Sequence, residues 1–330
     1  MRRLRPACLE DVGSGLRGGV VTGPVQQPAQ VGSRFLAFAA LHQPAIEAEL
    51  ERLIPALEVE PRALHGAMRH AMFPGGKRLR PVLALLAAEA TGGDPARAVR
   101  PAAALELVHT YSLVHDDLPC MDDDALRRGR PTCHVAFGEA NALLAGDALL
   151  TLAFEAVADA GPAAVRALAV AAGSLGMVGG QVGDLESEGL GEALTLDRLE
   201  WIHDRKTGAL IVASLEVGLH AGGGDPAALD ALRAYGRTIG RAFQVADDIL
   251  DVVGTADALG KMPGQDAAHG KSTYPSLLGL EGAIAAADRL AAEAAELAPR
   301  ACRSGPDGVG LESQVGLLQD LAYHVVARKT

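Results

Sequence analysis

The chain has 330 residues, 49% of them hydrophobic, which is enough for one large core or two modest ones and too apolar for a disordered chain. Aromatics are only 3%, and Ala and Leu dominate the apolar set, a composition that favours helix over sheet. The net charge of −11 is the wrong sign for a binder of phosphate backbones, so nucleic acid is not an expected partner.

Residues 1–32 are rich in Gly, Pro, Gln and Arg and lack helical periodicity. Their basic residues are followed by no apolar stretch, so they are not a secretory signal, and Glu10 and Asp11 are wrong for a transit peptide. They read as a disordered leader, or as the product of a start codon placed too early. From Phe35 onward apolar residues recur at three and four, with alanine-rich blocks at Val82–Ala90, Ala142–Ala156 and Ala163–Ala172. No run shows strand alternation. Gly and Pro breaks such as Thr91–Pro95 and Gly222–Pro226 divide this region into roughly ten helices. Asp94-Pro95 and Asp225-Pro226 each place a capping side chain before a proline at the first helical position. Residues 33–330 are expected to form one all-α domain. No stretch of uninterrupted apolar residues is long enough to predict a membrane span. Cys8, Cys120, Cys133 and Cys302 lie far apart with no CxxC pair, so neither a disulfide framework nor a zinc knuckle is expected, and a cytoplasmic location fits.

The first chemically loaded segment is Gly75-Gly76-Lys77-Arg78-Leu79-Arg80, a turn opening into a helix, where N–H groups and cations suit an anion. Arg78 and Arg130 are expected to be ordinary surface cations. Next, Leu105–Asp116 predicts a helix on which His109, Ser112 and Asp116 share a face; His115 reads as a packing or hydrogen-bonding residue. Pro119 disrupts helical geometry within a run that holds five carboxylates, Asp116, Asp117, Asp122, Asp123 and Asp124. A solvated acidic loop is the plainer alternative, but the preceding face is too apolar for an exposed helix. Arg127 and Arg128 follow directly. The glycines of Gly179–Asp184 follow no strand, so they suggest close helix packing or substrate approach rather than a dinucleotide loop. Lys206-Thr207-Gly208 lies in a helical stretch. Finally, Gln244, Asp247, Asp248 and Asp251 fall at i, i+3, i+4 and i+7 on one helix face. Like charges at that spacing destabilise a helix unless a cation compensates. Oxygen donors without nearby Cys or paired His favour Mg²⁺ over Zn²⁺, and Mg²⁺ commonly completes its shell with substrate phosphates. Lys261 and Lys271 follow this second cluster.

Together GGKRLRP at 75–81, DDLPCMD at 116–122, LRRGRPT at 126–132, GGQVGD at 179–184, KTG at 206–208, FQVADDILD at 243–251 and GKMPGQDAAHGKSTYP at 260–275 resemble the trans-isoprenyl diphosphate synthase family. The chain looks most like its bacterial farnesyl diphosphate synthases. The resemblance covers roughly residues 35–328 and implies a homodimer of all-α bundles, each around a central cavity. It implies that Asp116 and Asp122, with Asp117 in support, bind two Mg²⁺ ions and that Asp247, with Asp251 nearby, binds a third; Asp248 belongs to the same catalytic motif. Arg127, Lys206, Thr207, Gln244 and Lys261 would then hold an allylic diphosphate, and Gly76, Lys77, Arg80, His109 and Arg128 isopentenyl diphosphate. Lys271 is a further substrate-binding candidate. Tyr111 and Ser112, just before the first aspartate motif, would set product length, with farnesyl diphosphate expected and geranylgeranyl diphosphate the alternative. A terpene cyclase shares the metal logic but needs no second diphosphate site, which Lys77, Arg80 and Arg128 provide for.

Overall fold

The computed structural model describes residues 32–73, 75–189, 193–254, 272–303 and 310–327. The expected leader up to residue 31, Lys261 and Lys271 lie outside the described residues.

Helix boundaries follow from local chemistry. Asp94 accepts a bond from the Ala96 N–H across Pro95 and starts α4 (Pro95–Asp116). Asp225 does the same with Ala227 ahead of α11 (Leu229–Val253). The Asp320 carboxylate in α13 (Leu311–Ala327) accepts the N–H groups of Gly32, Arg34 and Phe35 at 2.9, 2.9 and 3.0 Å, which anchors the start of α1 (Ser33–Leu53).

Three helices form the centre. In α3 (Leu79–Ala90), α10 (Ala209–Gly222) and the Pro101–Val108 stretch of α4, buried side chains occur on nearly every side. A helix apolar all round must be surrounded by others. Here α3, α6 (Glu139–Ala158) and α10 pack on α4, α2 (Arg62–Met72) and α5 (Cys133–Phe137) pack on α6, and α7 (Pro162–Ala172) packs on α10. On the other side α11 lies along α12 (Tyr274–Ala301), which kinks where Gly279 takes φ 71°. The small-residue composition is what lets so many helices share one core.

Two expectations need adjustment. Leu126–Arg127 and Arg130–Pro131 form β1 and β2, a two-residue antiparallel hairpin. Arg128 and Gly129 turn it with φ of 53° and 73°, the handedness that suits hairpin strands. Elements so short carry no alternation to read. In addition, two helical stretches, Glu139–Ala158 and Pro162–Leu185, are long and apolar enough to cross a bilayer. The first turns Ala142, Ala145, Leu149, Ala153 and Ala156 into the bundle, and the second is broken between α7 and α8 (Met177–Leu185).

Candidate active site

A cleft of about 580 Å³ opens between α4, α8, α11 and a π-helical turn, Asp204–Gly208, that follows α9 (Leu196–His203). Polar lining comes from Arg80, His109, Asp116, Gln181, Lys206, Thr207, Gln244 and Asp247. Leu113, Met121, Met177, Val178, Val182, Leu185 and Phe243 make the rest apolar, with Tyr111, Ser112 and His115 on the α4 side.

Asp116 is the last residue of α4, and the chain then doubles back. The Met121 N–H donates to the Leu118 carbonyl and the Asp122 N–H to the Asp116 carbonyl, at 2.8 and 2.9 Å, so the loop around Pro119 brings Asp122 beside Asp116. Burial pushes the Asp116 carboxyl up to about 6; Lys206 works against this shift and Asp122 adds to it. The charged form of this group therefore lacks adequate compensation from the protein alone. Among the described residues no three acidic or histidine side chains converge as a ready metal cage. One or two carboxylates at a time instead suit Mg²⁺, which takes one or two protein oxygens and leaves the remaining positions to water and phosphate. The donor set and its unbalanced charge fit that ion.

Asp117 sits elsewhere. It is buried, and Arg127 grips it, with Nε at 2.8 Å and Nη2 at 2.6 Å from Oδ1 and Nε at 3.0 Å from Oδ2. Here the two residues expected to serve metal and diphosphate hold each other, while the Arg127 side chain stays about a third exposed. Their pairing lies beside a small second cavity that also touches His109 and Arg128.

The cations divide into used and unused. Lys206 Nζ lies 2.7 Å from Asp184 Oδ2. Arg128 bends onto the 75–78 loop and donates to the Gly75 carbonyl, while Lys77 is exposed. Arg80 differs: its Nε is buried with no hydrogen-bond partner among the described residues, and burial lowers the pKa of the guanidinium. An unmatched buried donor on a cleft wall calls for an anion. His109 beside it is held well below its ordinary pKa, first by burial and then by Arg80, Arg128, Arg127 and Arg78, so it is a neutral hydrogen-bonding group.

The acidic stripe on α11 splits. Gln244 and Asp247 line the cleft, whereas Asp248 and Asp251 are buried. Asp248 accepts from Gln244 Nε2 at 3.1 Å and from the Tyr274 N–H at 2.9 Å, at the start of α12. Thr207 Oγ1 donates to Gln244 Oε1 at 3.0 Å. Asp248 therefore orients Gln244 and ties α11 to α12. Asp247 and Asp248, consecutive and so about 100° apart, are the two edges of that face, and one edge meets the cleft while the other meets α12.

Arg78 overturns its expectation. It is 2% exposed, donates to Glu47 at 2.7 and 3.2 Å and to Glu106 at 2.9 Å, and also reaches the Met72 carbonyl at 3.0 Å. Two carboxylates from distant helices make a buried arginine affordable, and neither is adjacent to it in sequence. Arg130 is exposed, as expected. The close-packing reading of Gly179–Asp184 holds at Gly180, where a Cβ would collide with the backbone of Lys206. Two features of the segment escaped that reading: Asp184 pairs with Lys206, and the Gln181 amide Nε2 is buried at the cleft without a partner among the described residues. Their signal was the presence of just two polar side chains among three glycines and a valine.

Residues 61–300 match the family model described as polyprenyl synthetase. A farnesyl diphosphate synthase of Geobacillus stearothermophilus is 47% identical over 248 residues, 72% of this chain and 82% of that protein. A chloroplastic geranylgeranyl pyrophosphate synthase 12 of Arabidopsis thaliana is 50% identical over 247 residues, 72% of this chain and 69% of its own. Among solved structures, a geranyltransferase of Helicobacter pylori complexed with magnesium and isoprenyl diphosphate is 33% identical with a TM-score of 0.72, covering 88% of this chain and 96% of its own. An FPP/GFPP synthase of Zymomonas mobilis is 37% identical with a TM-score of 0.73, covering 89% and 99%.

Proposed function

This chain belongs to the polyprenyl synthetase family, and we propose that within it the protein condenses isopentenyl diphosphate with dimethylallyl and then geranyl diphosphate to give farnesyl diphosphate. Prenyl transfer itself follows from the family. The observation that carries the finer reading is one cleft that combines carboxylates from two helices, an arginine whose buried Nε has no hydrogen-bond partner among the described residues, and an apolar wall in which Tyr111 is buried. Tyr111 lies five residues before Asp116, about 7.5 Å along the helix. A bulky ring there shortens the room for a growing chain. Geranylgeranyl diphosphate is the second reading, favoured by the relatives that make it.

In this proposal Arg80, Lys77, Arg128 and neutral His109 bind and orient isopentenyl diphosphate. Lys206, Thr207, Gln244 and Arg127 do so for the allylic diphosphate, with Lys261 and Lys271 outside the described residues. Magnesium, up to three ions held by Asp116 and Asp122 on one side and Asp247 with Asp251 on the other, would supply positive charge to the departing diphosphate. The allylic C–O bond breaks, the isopentenyl double bond attacks the allylic carbon, and the proton lost passes to the departing diphosphate. Leu113, Met177 and Phe243 keep water from the cationic carbon. The enzyme is further proposed to be a homodimer; Leu143 and Leu144, 48% and 54% exposed on α6, offer apolar surface for a second copy.

The test is incubation with Mg²⁺, isopentenyl diphosphate and each allylic diphosphate, followed by chromatography of the dephosphorylated products. Farnesol as the main alcohol is expected, and a dominant C20 alcohol would favour the second reading. Asp247→Ala relieves like-charge repulsion on α11 and should fold while losing most turnover. Near-wild-type rates at saturating Mg²⁺ would remove Asp247 from the site.

A further inference from the structure

The wall around Tyr111 has a second layer. One turn further along α4, His115 lines the same cleft and meets the Tyr111 ring edge-on, with centroids 5.7 Å apart and planes at 82°. This geometry is attractive for aromatic rings. His115 is itself fixed from behind. Its Nε2–H donates to the Leu143 carbonyl in α6 at 2.9 Å. Its ring rests directly on Gly146, where any Cβ would collide with three imidazole atoms. Gly146 is buried in the middle of α6 and its backbone is helical, so a side chain there would meet no conformational objection. Its missing side chain makes room for the imidazole. Tyr111, by contrast, has no side-chain hydrogen bond among the described residues to set its ring.

We infer that His115, seated on Gly146 and tied to Leu143, is a specificity-determining positioning residue that holds Tyr111 across the cleft and so limits how many isopentenyl units are added. The inference rests on the reading of Tyr111 as the floor of the cleft. Without the brace, the Tyr111 ring can turn aside and the next condensation gains room. The brace acts on the partition between release and further extension, not on the diphosphates.

Product ratios test it, because a ratio does not depend on how much of a variant is folded. Wild type, Tyr111→Ala and His115→Ala are each incubated with dimethylallyl diphosphate and excess isopentenyl diphosphate, and alcohols are resolved by chain length. His115→Ala should raise the ratio of the next longer product to the main one by roughly two- to tenfold, the range that loss of one aromatic contact allows. Tyr111→Ala should raise it further. Gly146→Ala should change the ratio when His115 is present and leave it unchanged in the His115→Ala background, since the added methyl then has nothing to displace. If Tyr111→Ala lengthens the products while His115→Ala keeps the wild-type ratio, the brace is overturned and the floor survives. An equal effect of Gly146→Ala in both backgrounds also overturns it. If Tyr111→Ala leaves product length unchanged, the floor itself is elsewhere and the inference falls with it.

Discussion

Asp117 holds Arg127 through both carboxylate oxygens while remaining buried, whereas the Arg127 side chain keeps about a third of its surface exposed. Asp117→Asn keeps the shape but deletes the charge, and Arg127 can turn to solvent, so the stability cost should be about 1–3 kcal/mol. The catalytic consequence should be a higher KM for the allylic diphosphate with little change in the Mg²⁺ activation constant. A matched rise in Mg²⁺ requirement would instead place Asp117 on the metal. Arg80 is the complementary case: among the described residues its buried Nε has no hydrogen-bond partner, which an incoming anion would supply. Arg80→Ala should raise the isopentenyl diphosphate KM roughly 10- to 100-fold, as loss of charged hydrogen bonds does, with a smaller effect on the allylic substrate. Steady-state kinetics varying each substrate in turn reads both. Residue type and spacing were enough to single out Arg80, Asp116 and Asp247, which the fold brings to the wall of one cleft. They could not reveal that Asp117 faces Arg127 or that Arg78 is buried, because those fates depend on Glu47, Glu106 and a hairpin turn brought near only by folding.

At the scale of elements, helices were legible wherever apolar periodicity or a cap marked them, as at Asp94 and Asp225. The π-helical turn was not, since it has no composition of its own. It places Lys206 and Thr207 at the cleft, and turns of this kind concentrate at functional sites. Its position depends on α8, where Gly180 packs against the Lys206 backbone. Gly180→Ala should therefore cost about 1–3 kcal/mol by overpacking, and should lower kcat because Lys206 and Thr207 move with the turn. Gly208→Ala is the instructive contrast. Its φ and ψ of −61° and −40° suit any residue, and a new Cβ would find only the His203 carbonyl at 3.5 Å. Thermal denaturation should leave that variant near wild type. A drop equal to that of Gly180→Ala would show that the glycines matter for flexibility rather than for space.

Across the whole molecule, Ala-rich periodicity and the absence of strand patterning were enough to read a single helical bundle, because its core is assembled from helices that each carry their own signal. The joints between helices were less legible, and His203 shows what one of them does to the stability of the entire chain. It ends α9, enters the π-helical turn, and stacks on Tyr274 of α12 with ring centroids 5.8 Å apart at 25°. Its Nδ1 is buried without a hydrogen-bond partner among the described residues. Burial brings its pKa down to about 4; Asp184 and Asp204 pull upward and Lys206 adds to the fall. In the unfolded chain the group returns to about 6.5. Between those two values the unfolded state binds a proton that the folded state refuses, so stability falls as pH drops. The contribution is fully present above about pH 6.5 and is lost by about pH 4, and it amounts to at most about 3 kcal/mol. His203→Phe keeps a ring against Tyr274 and removes the titration. Urea midpoints of the two proteins should run close together at pH 7.5 and diverge as pH falls from 6.5 to 4.5, with the variant losing less. Carboxylates that titrate in the same range are common to both and cancel in the difference. Parallel curves over that interval would mean that His203 takes up its proton in the folded protein as readily as in the unfolded one.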